Sequence, residues 1–245
     1  MAITVEECNA ILKTVKKTRG ILHIGFEMRI SPVWKKVKEM IEKGSIGKPV
    51  YGIIELWRGP YRSGSNGWRY DAKRVGSWIL EEPVHFLDLA CWYMEEVGEP
   101  ISVYARANSK GGNCPGLTEN MSFIINFPED AYVVVNQTLS AYEHHQSVKI
   151  VGTKGALYAR WDGPVDEAAN PTFQLEYYNG KKVRRVPIKK MAGELYEIEM
   201  EIRAMVEAVQ KRGATCLATP EEGKRAVALC IAGEKSVVSN RVIKL

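Results

Sequence analysis

Seven short runs rich in β-branched and aromatic residues, at 101–107, 120–127, 132–140, 148–151, 156–161, 173–178 and 183–188, constrain the fold more than any other feature. Turn residues separate them: Gly111-Gly112, Pro128-Glu129-Asp130, Thr153-Lys154-Gly155 and Asn179-Gly180. The Asn-Gly pair is the clearest hairpin signal, because a two-residue type I′ turn needs positive φ at both central positions. A chain that reverses so often builds an antiparallel sheet. Helical patterns flank these runs, so the expected class is α+β, a large, mostly antiparallel sheet with helices on one face. Stretches such as Tyr132-Val133-Val134-Val135 are apolar at successive positions, so the other face needs a cover as well. A second copy of the chain is the expected cover, which makes the protein a homo-oligomer through its open sheet face.

The flanks read as helices with defined ends. Thr4, followed by Glu7, forms a capping box, and Val5, Cys8, Ile11, Leu12 and Val15 make an apolar stripe behind it. Residues 21–26 read as a buried strand. Ser31-Pro32 opens a second helix, with Val33, Val37, Met40 and Ile41 on one face and Gly44 as its stop. This opening has the rhythm of an α/β unit, yet one strand cannot make a sheet. A strand is expected at 50–57, then a long loop from 59 to 74, of the kind that often carries function. A later helix places Leu195, Ile198, Ile202, Met205, Val206 and Val209 at helical spacing. Another opens on Thr219-Pro220-Glu221-Glu222, again a capping box with Pro at the first position, and a short strand is expected at 241–245.

Composition excludes several roles. Among 245 residues the net charge is +5, and the basic residues fall in isolated doublets such as Lys35-Lys36 and Lys189-Lys190. No basic stripe interleaved with aromatics marks a nucleic-acid partner. No apolar run is long enough to cross a bilayer, and the first residues lack the pattern of a secretory signal. The five cysteines (Cys8, Cys91, Cys114, Cys216 and Cys230) are scattered, odd in number and without a C-x-x-C pair. They read as reduced, mostly buried thiols of a cytoplasmic protein.

The chemistry concentrates between Gly76 and Tyr93. Pro83 suits the first turn of a helix, which puts Asp88 three residues beyond His85 on one side and leaves Glu81 and Glu82 at the helix mouth. An imidazole among carboxylates is a device for proton transfer. The helix N-terminus disfavours an imidazolium, so a neutral, base-ready His85 is expected. The alternatives are a surface charge cluster, a structural hydrogen-bond network, or a metal site from Glu82, His85 and Asp88. No H-E-x-x-H or Cys/His framework supports the metal. His23, inside an apolar run, reads as a hydrogen-bonded core residue, and His144-His145 as strand-edge histidines.

The order of short motifs resembles the Gfo/Idh/MocA family of NAD(P)-dependent oxidoreductases. Ile24-Gly25-Phe26-Glu27-Met28-Arg29 is like its strand G-[YF]-x-x-R. The stretch from Lys38 to Pro49 is similar to K-x-x-I-x-x-G-x-I-G-x-[PV], and Trp68-Arg69-Tyr70-Asp71 to W-R-x-[DN]. The stretch from Gly76 to Trp92 resembles its histidine helix, and Gly152-Thr153-Lys154-Gly155 its G-[ST]-x-G turn. The resemblance implies a GAPDH-like C-terminal domain and NAD(P)-linked oxidation of a hydroxyl on a sugar-like small molecule. It implies His85 as proton acceptor and Glu81, standing where the family commonly has aspartate, as its electrostatic partner, with a surface carboxylate as the alternative for Glu81. Trp68, Arg69 and Glu82 are implied on the substrate side and Arg29 on the cofactor side, with an Arg–Trp packing contact and a surface ion pair as the bland alternatives.

A family member carries a dinucleotide-binding domain of roughly 120 residues before this region, with G-x-G-x-x-G at a helix N-terminus. Neither that fingerprint nor a P-loop occurs in this sequence. The expectation is therefore a remnant of that domain at residues 1–29 and a substrate-binding, catalytic and oligomerisation domain at 30–245. Such a chain would bind NAD or NADP poorly by itself and would depend on a separate nucleotide-binding chain. The rival expectation is a non-catalytic dimerisation and ligand-binding domain.

Overall fold

The computed structural model describes residues 1–110, 117–211 and 217–245. Helix α1 (Val5–Thr18) starts as its capping box requires: Thr4 Oγ1 accepts the Glu7 N–H at 3.1 Å, and Glu7 accepts the Thr4 N–H at 3.1 Å. Helix α2 (Pro32–Glu42) has Pro32 in its first turn and buries Val33, Trp34, Val37, Met40 and Ile41. Strand β1 (Pro49–Arg58) follows, and then the long loop, which holds the 3-10 segment Ser65–Tyr70 and short helices α3 (Ala72–Val75) and α4 (Trp78–Glu81). Helix α5 (Pro83–Tyr93) carries the histidine, and Pro83 stands at its start as expected.

The sheet strands are β2 (Ser102–Asn108), β3 (Asn120–Asn126), β4 (Tyr132–Thr138), β5 (His144–Gly152), β6 (Ala156–Gly163), β7 (Thr172–Tyr178) and β8 (Val183–Arg185). Helices α6 (Glu194–Gln210) and α7 (Pro220–Ser239) and strand β9 (Ile243–Lys244) follow. The nine strands form one sheet in the order β8-β7-β6-β5-β1-β4-β3-β2-β9. Every neighbouring pair is antiparallel except β1 with β4, in which Ile54 stands opposite Val135. Strand β1 is inserted between β4 and β5, so these two consecutive strands do not form the hairpin that their spacing suggests. Asn179-Gly180 joins β7 to β8 as expected.

Strand alternation gives the sheet two different faces. Ile54 and Leu56 of β1, Val133 and Val135 of β4 and Val148 and Ile150 of β5 point into the core, on the side covered by α2, α5 and α7. The opposite face carries Tyr51, Ile53, Glu55, Trp57, Ile124, Tyr132 and Val134 half-buried or exposed, and no element of the chain covers it among the described residues. Because β1 alternates, Trp57 faces outward while Arg58, its neighbour, points inward at the sheet's end.

Two expectations need correction. Residues 21–26 are not a strand, since no other segment of the described chain lies beside them to complete a ladder. The last hairpin strand ends at Arg185 instead of 188. Cys8, Cys91 and Cys230 are buried and unpaired, while Cys114 and Cys216 lie outside the described residues. No described helix is long and apolar enough to cross a membrane.

Candidate active site

The break between α4 and α5 creates the site. Trp78 anchors α4 in the core and donates its indole N–H to the Arg69 carbonyl at 2.7 Å, which ties the long loop to the helix mouth. Glu81 ends α4, Glu82 bridges the two helices, and His85 lies in the first turn of α5. These residues face a cleft of about 170 Å³, lined also by Glu27, Arg58, Tyr61, Arg62, Arg69, Asp166 and Glu194.

His85 does not pair with Glu81. Its Nδ1 lies 2.9 Å from Glu27 Oε2, a close charge contact off the line of an ideal hydrogen bond. This leaves Nε2 as the ring nitrogen available to the cleft. The ring edge packs on Phe26, with centroids 5.7 Å apart. Burial alone would depress the imidazole's pKa, but Glu27, Glu82 and Asp88 outweigh it and raise it to about 9. A base-ready, neutral His85 at pH 7 is thus contradicted, because three carboxylates exceed the effect of one helix end. Glu27 shows the reciprocal effect: burial would raise it, but His85 holds it below the usual range.

Glu81 instead accepts from Arg69 Nε at 2.6 Å. Arg69 lies over the rings of Trp68 and Tyr61, at 5.0 and 5.9 Å from their centroids. Trp68 therefore stands behind Arg69 and does not line the cleft. Glu82 pairs with Arg58 at 3.3 Å, and burial, more than Arg58 and His85 offset, keeps its pKa raised. Arg58 reaches on to Asp166 at 3.1 Å, and Arg62 binds Asp166 and Glu167 at 3.0 and 3.1 Å. Burial, aided by Glu82, keeps Tyr61 a phenol well above its ordinary pKa.

Arg29 and Asp88 lie apart from the cleft, in the core. Arg29 Nε and Nη2 both donate to Asp88 at 2.7 Å, and Nη1 reaches Glu222 at 2.8 Å and the Leu217 carbonyl at 3.2 Å. Every face of this guanidinium is committed within the protein. The spacing of Glu82, His85 and Asp88 does not become a metal centre: no cluster of His, Cys, Asp and Glu able to hold a metal occurs among the described residues.

Of the remaining histidines, His145 lies on the open sheet face, 2.8 Å from Asp162. His144 is buried beneath the cleft. The His23 side chain is shielded, with neither ring nitrogen hydrogen-bonded, against expectation; Glu201 lies 3.9 Å from it. A hollow of about 480 Å³ on the open face exceeds the cleft in size, but the inward set around His85 lies on the other side of β1.

The sequence reading missed Glu27, Arg58, Asp166 and Glu194. Glu27 had a signal, as an acidic residue two before Arg29 beside an apolar run. Arg58 had another, as a cation closing a strand before Gly59-Pro60. Asp166 and Glu194 had none, because the fold brings them to the helix mouth from more than eighty residues away.

Residues 34–158 match the family model described as the GFO/IDH/MocA C-terminal domain. An inositol 2-dehydrogenase of Rhizobium meliloti (strain 1021) is 26% identical over 249 residues, spanning 99% of this chain and 71% of that protein. A myo-inositol 2-dehydrogenase of Thermotoga maritima is also 26% identical, over 100% of this chain and 70% of its own length. Among solved structures, the aldose-aldose oxidoreductase of Caulobacter crescentus complexed with glycerol superposes with a TM-score of 0.82 at 16% identity, covering 100% of this chain and 70% of that one. A putative myo-inositol dehydrogenase of Sinorhizobium meliloti 1021 gives 0.78 at 23% identity, covering 99% and 70%.

Proposed function

Because the chain belongs to the GFO/IDH/MocA oxidoreductase family, we propose that it holds a polyhydroxy substrate, of the sugar or cyclic polyol class, and moves the proton of the hydroxyl that is oxidised. One observation carries this reading. His85 is fixed through Nδ1 by Glu27 at 2.9 Å, while the ring borders a cleft rich in hydrogen-bonding groups. The inositol dehydrogenases among its relatives support the substrate class.

The chain's own residues set the proton chemistry. With its pKa near 9, His85 is an imidazolium at pH 7 and gives a proton from Nε2 to a carbonyl oxygen when the reaction runs as a reduction. In the oxidising direction it accepts the hydroxyl proton. The form able to do so is about one molecule in a hundred at two pH units below its pKa, so oxidation gains as the pH approaches 9. Glu27 moves no proton itself; it orients the ring and stabilises its charge. Arg58, Arg69 and the Tyr61 phenol supply donors to substrate oxygens.

NAD(P) is the hydride partner that the family implies. The described residues do not fit its diphosphate: α1, α2, α5 and α7 open at Thr4, Ser31, Glu82 and Thr219, and α6, which opens at Gly193, carries Glu194 and Glu197 in its first turn, where an anion would be repelled. An α/β nucleotide-binding unit is the proposed partner. Two features support a place for it. Leu195, Ile198, Ile202, Val206 and Val209 make an apolar stripe on α6 that is exposed by 42–60%. The neighbouring extended segment 21–26 has backbone groups unpaired in any ladder.

A second copy of the chain is the proposed cover of the open sheet face. The nine strands hold 60 residues, which at about 3.3 Å of rise and about 4.8 Å of spacing present roughly 950 Å², above the ~800 Å² per partner of a stable interface. A cytoplasmic location is proposed on the buried, unpaired thiols of Cys8, Cys91 and Cys230.

Titration of the labelled chain with myo-inositol, followed by NMR, tests the substrate reading. Shifts confined to His85, Arg58, Arg69 and Tyr61 are expected. Shifts centred on the open sheet face, or none at all, would contradict it.

A further inference from the structure

Beneath the cleft lies a chamber of about 40 Å³. Glu27, Glu82, Asp166 and Glu194 line both spaces, so the chamber is the cleft's floor and not a separate hollow. By volume it takes a group the size of about two or three waters, too small for a ring.

Its charge is one-sided. Five carboxylates face it, from Glu27, Glu82, Asp166, Glu194 and Glu197, and no lysine or arginine lines it. Three are answered from outside: Glu27 by His85, and Glu82 and Asp166 by Arg58. Glu194 and Glu197 have no cationic partner among the described residues. Glu197 is 4% exposed and accepts the Gly193 N–H at 2.8 Å. Burial, the larger cause, and neighbouring carboxylates raise both residues to about 7, as befits carboxylates placed without a counter-charge. Trp34 and Trp161 complete the wall, an apolar lining that strengthens attraction between the carboxylates and a cation.

An independent sign of a missing ligand group comes from His144, which lines the same chamber and is 3% exposed. Its Nε2 lies 2.8 Å from the Gln146 amide nitrogen. Nε2 therefore accepts from that amide, and the neutral ring carries its hydrogen on Nδ1. That Nδ1 is buried with no hydrogen-bond partner, whereas buried donors are ordinarily paired. The chamber thus offers two acceptors for a positively charged donor and one donor for a neighbouring oxygen. No metal-holding cluster exists among the described residues, which favours an organic cation.

We propose that this chamber binds the ammonium group of the substrate, so that the compound held in the cleft is an amine-bearing polyol or sugar. This inference rests on the polyol reading of the cleft and narrows it. The ammonium donates to Glu194 and Glu197, and a hydroxyl oxygen on the adjacent carbon accepts from His144 Nδ1. A neutral polyol places a hydroxyl there and leaves both carboxylates without a counter-charge.

The test compares an amino-deoxyinositol with its parent inositol as ligands of the full chain at pH 8, by calorimetry and by the NMR signals of His85 and His144. The amine is expected to bind at least tenfold tighter than the parent and to move both histidines. Glu194→Gln and Glu197→Gln should each lower the ratio of amine to parent affinity by at least about fivefold; thermal melting checks that both variants fold. If the inositol moves His85 but the amine binds no better, the ammonium site is overturned and the polyol reading stands. If neither ligand moves His85, both fall together. Preference for the amine that survives both substitutions would also overturn the assignment.

Discussion

Replacing Glu27 by Gln removes the negative charge 2.9 Å from His85 Nδ1 and keeps the shape of the side chain. His85 is 26% exposed at its side chain, so an effective dielectric constant of about 40, between ~20 near a protein surface and ~80 in water, is appropriate. At that value Coulomb's law gives about 3 kcal/mol, equivalent to about 2 pKa units. The imidazole, held at about 9 in the parent protein, is expected at about 7 in E27Q. Titration of the His85 Cε1–H signal by NMR reads this directly. The same substitution changes stability with a defined sign. The folded pKa of His85 lies above its ordinary 6.5, so its pairing stabilises the fold fully below that pH, and the contribution is lost as the pH rises through about 9. Glu27 lies below its ordinary 4.5, so its share is present above that pH and lost as the pH falls. Urea denaturation should therefore find E27Q less stable by up to about 3 kcal/mol between about pH 5 and 7, with the gap closing towards pH 10. A pKa fall of less than about half a unit would refute the account of Glu27 as the group that holds the proton on His85.

Two other perturbations separate the core from the open face. Arg29→Met leaves the Asp88 carboxylate 99% buried without its bidentate partner and is expected to cost about 3–5 kcal/mol in urea denaturation. A companion Asp88→Leu should restore much of that loss; no recovery would show that the pair does more than balance charge. If a second copy covers the open face, as proposed, light scattering should find the parent chain a dimer and Trp57→Asp a monomer, with the His85 pKa unmoved; a parent chain that is a monomer, or a dimer that survives the substitution, would contradict that cover.

Local chemistry was legible in the sequence, and long-range geometry was not. The capping boxes at Thr4 and Thr219, Pro83 at the start of α5 and the Asn179-Gly180 hairpin all depend on residues within a few positions of one another, and each forms as read. The parallel pairing of β1 with β4 joins segments eighty residues apart and leaves no periodic trace. The run 21–26 has the composition of a strand but no neighbour, and backbone pairing needs two partners. At the site, the sequence identified His85, Glu82 and Arg69 around the cleft but gave the wrong partner to the histidine. Glu81, four residues away, sits at the end of α4 and meets Arg69, while Glu27 arrives from the turn before α2. The expected protonation state was reversed by charge, against burial, which by itself favours the neutral ring: Glu82 and Asp88 are local, but Glu27, which raises the imidazole's pKa most, reaches Nδ1 only through the fold.

The central claim is that His85 carries the substrate's proton. Its most direct test is polyol-dependent NADH formation by the chain assembled with a nucleotide-binding unit, comparing wild type with His85→Ala. A fall in kcat of about 10²–10⁴ is expected, together with loss of the rise in rate towards pH 9 that His85 imposes on the oxidation. Activity within about threefold of wild type, with the pH profile unchanged, would contradict it.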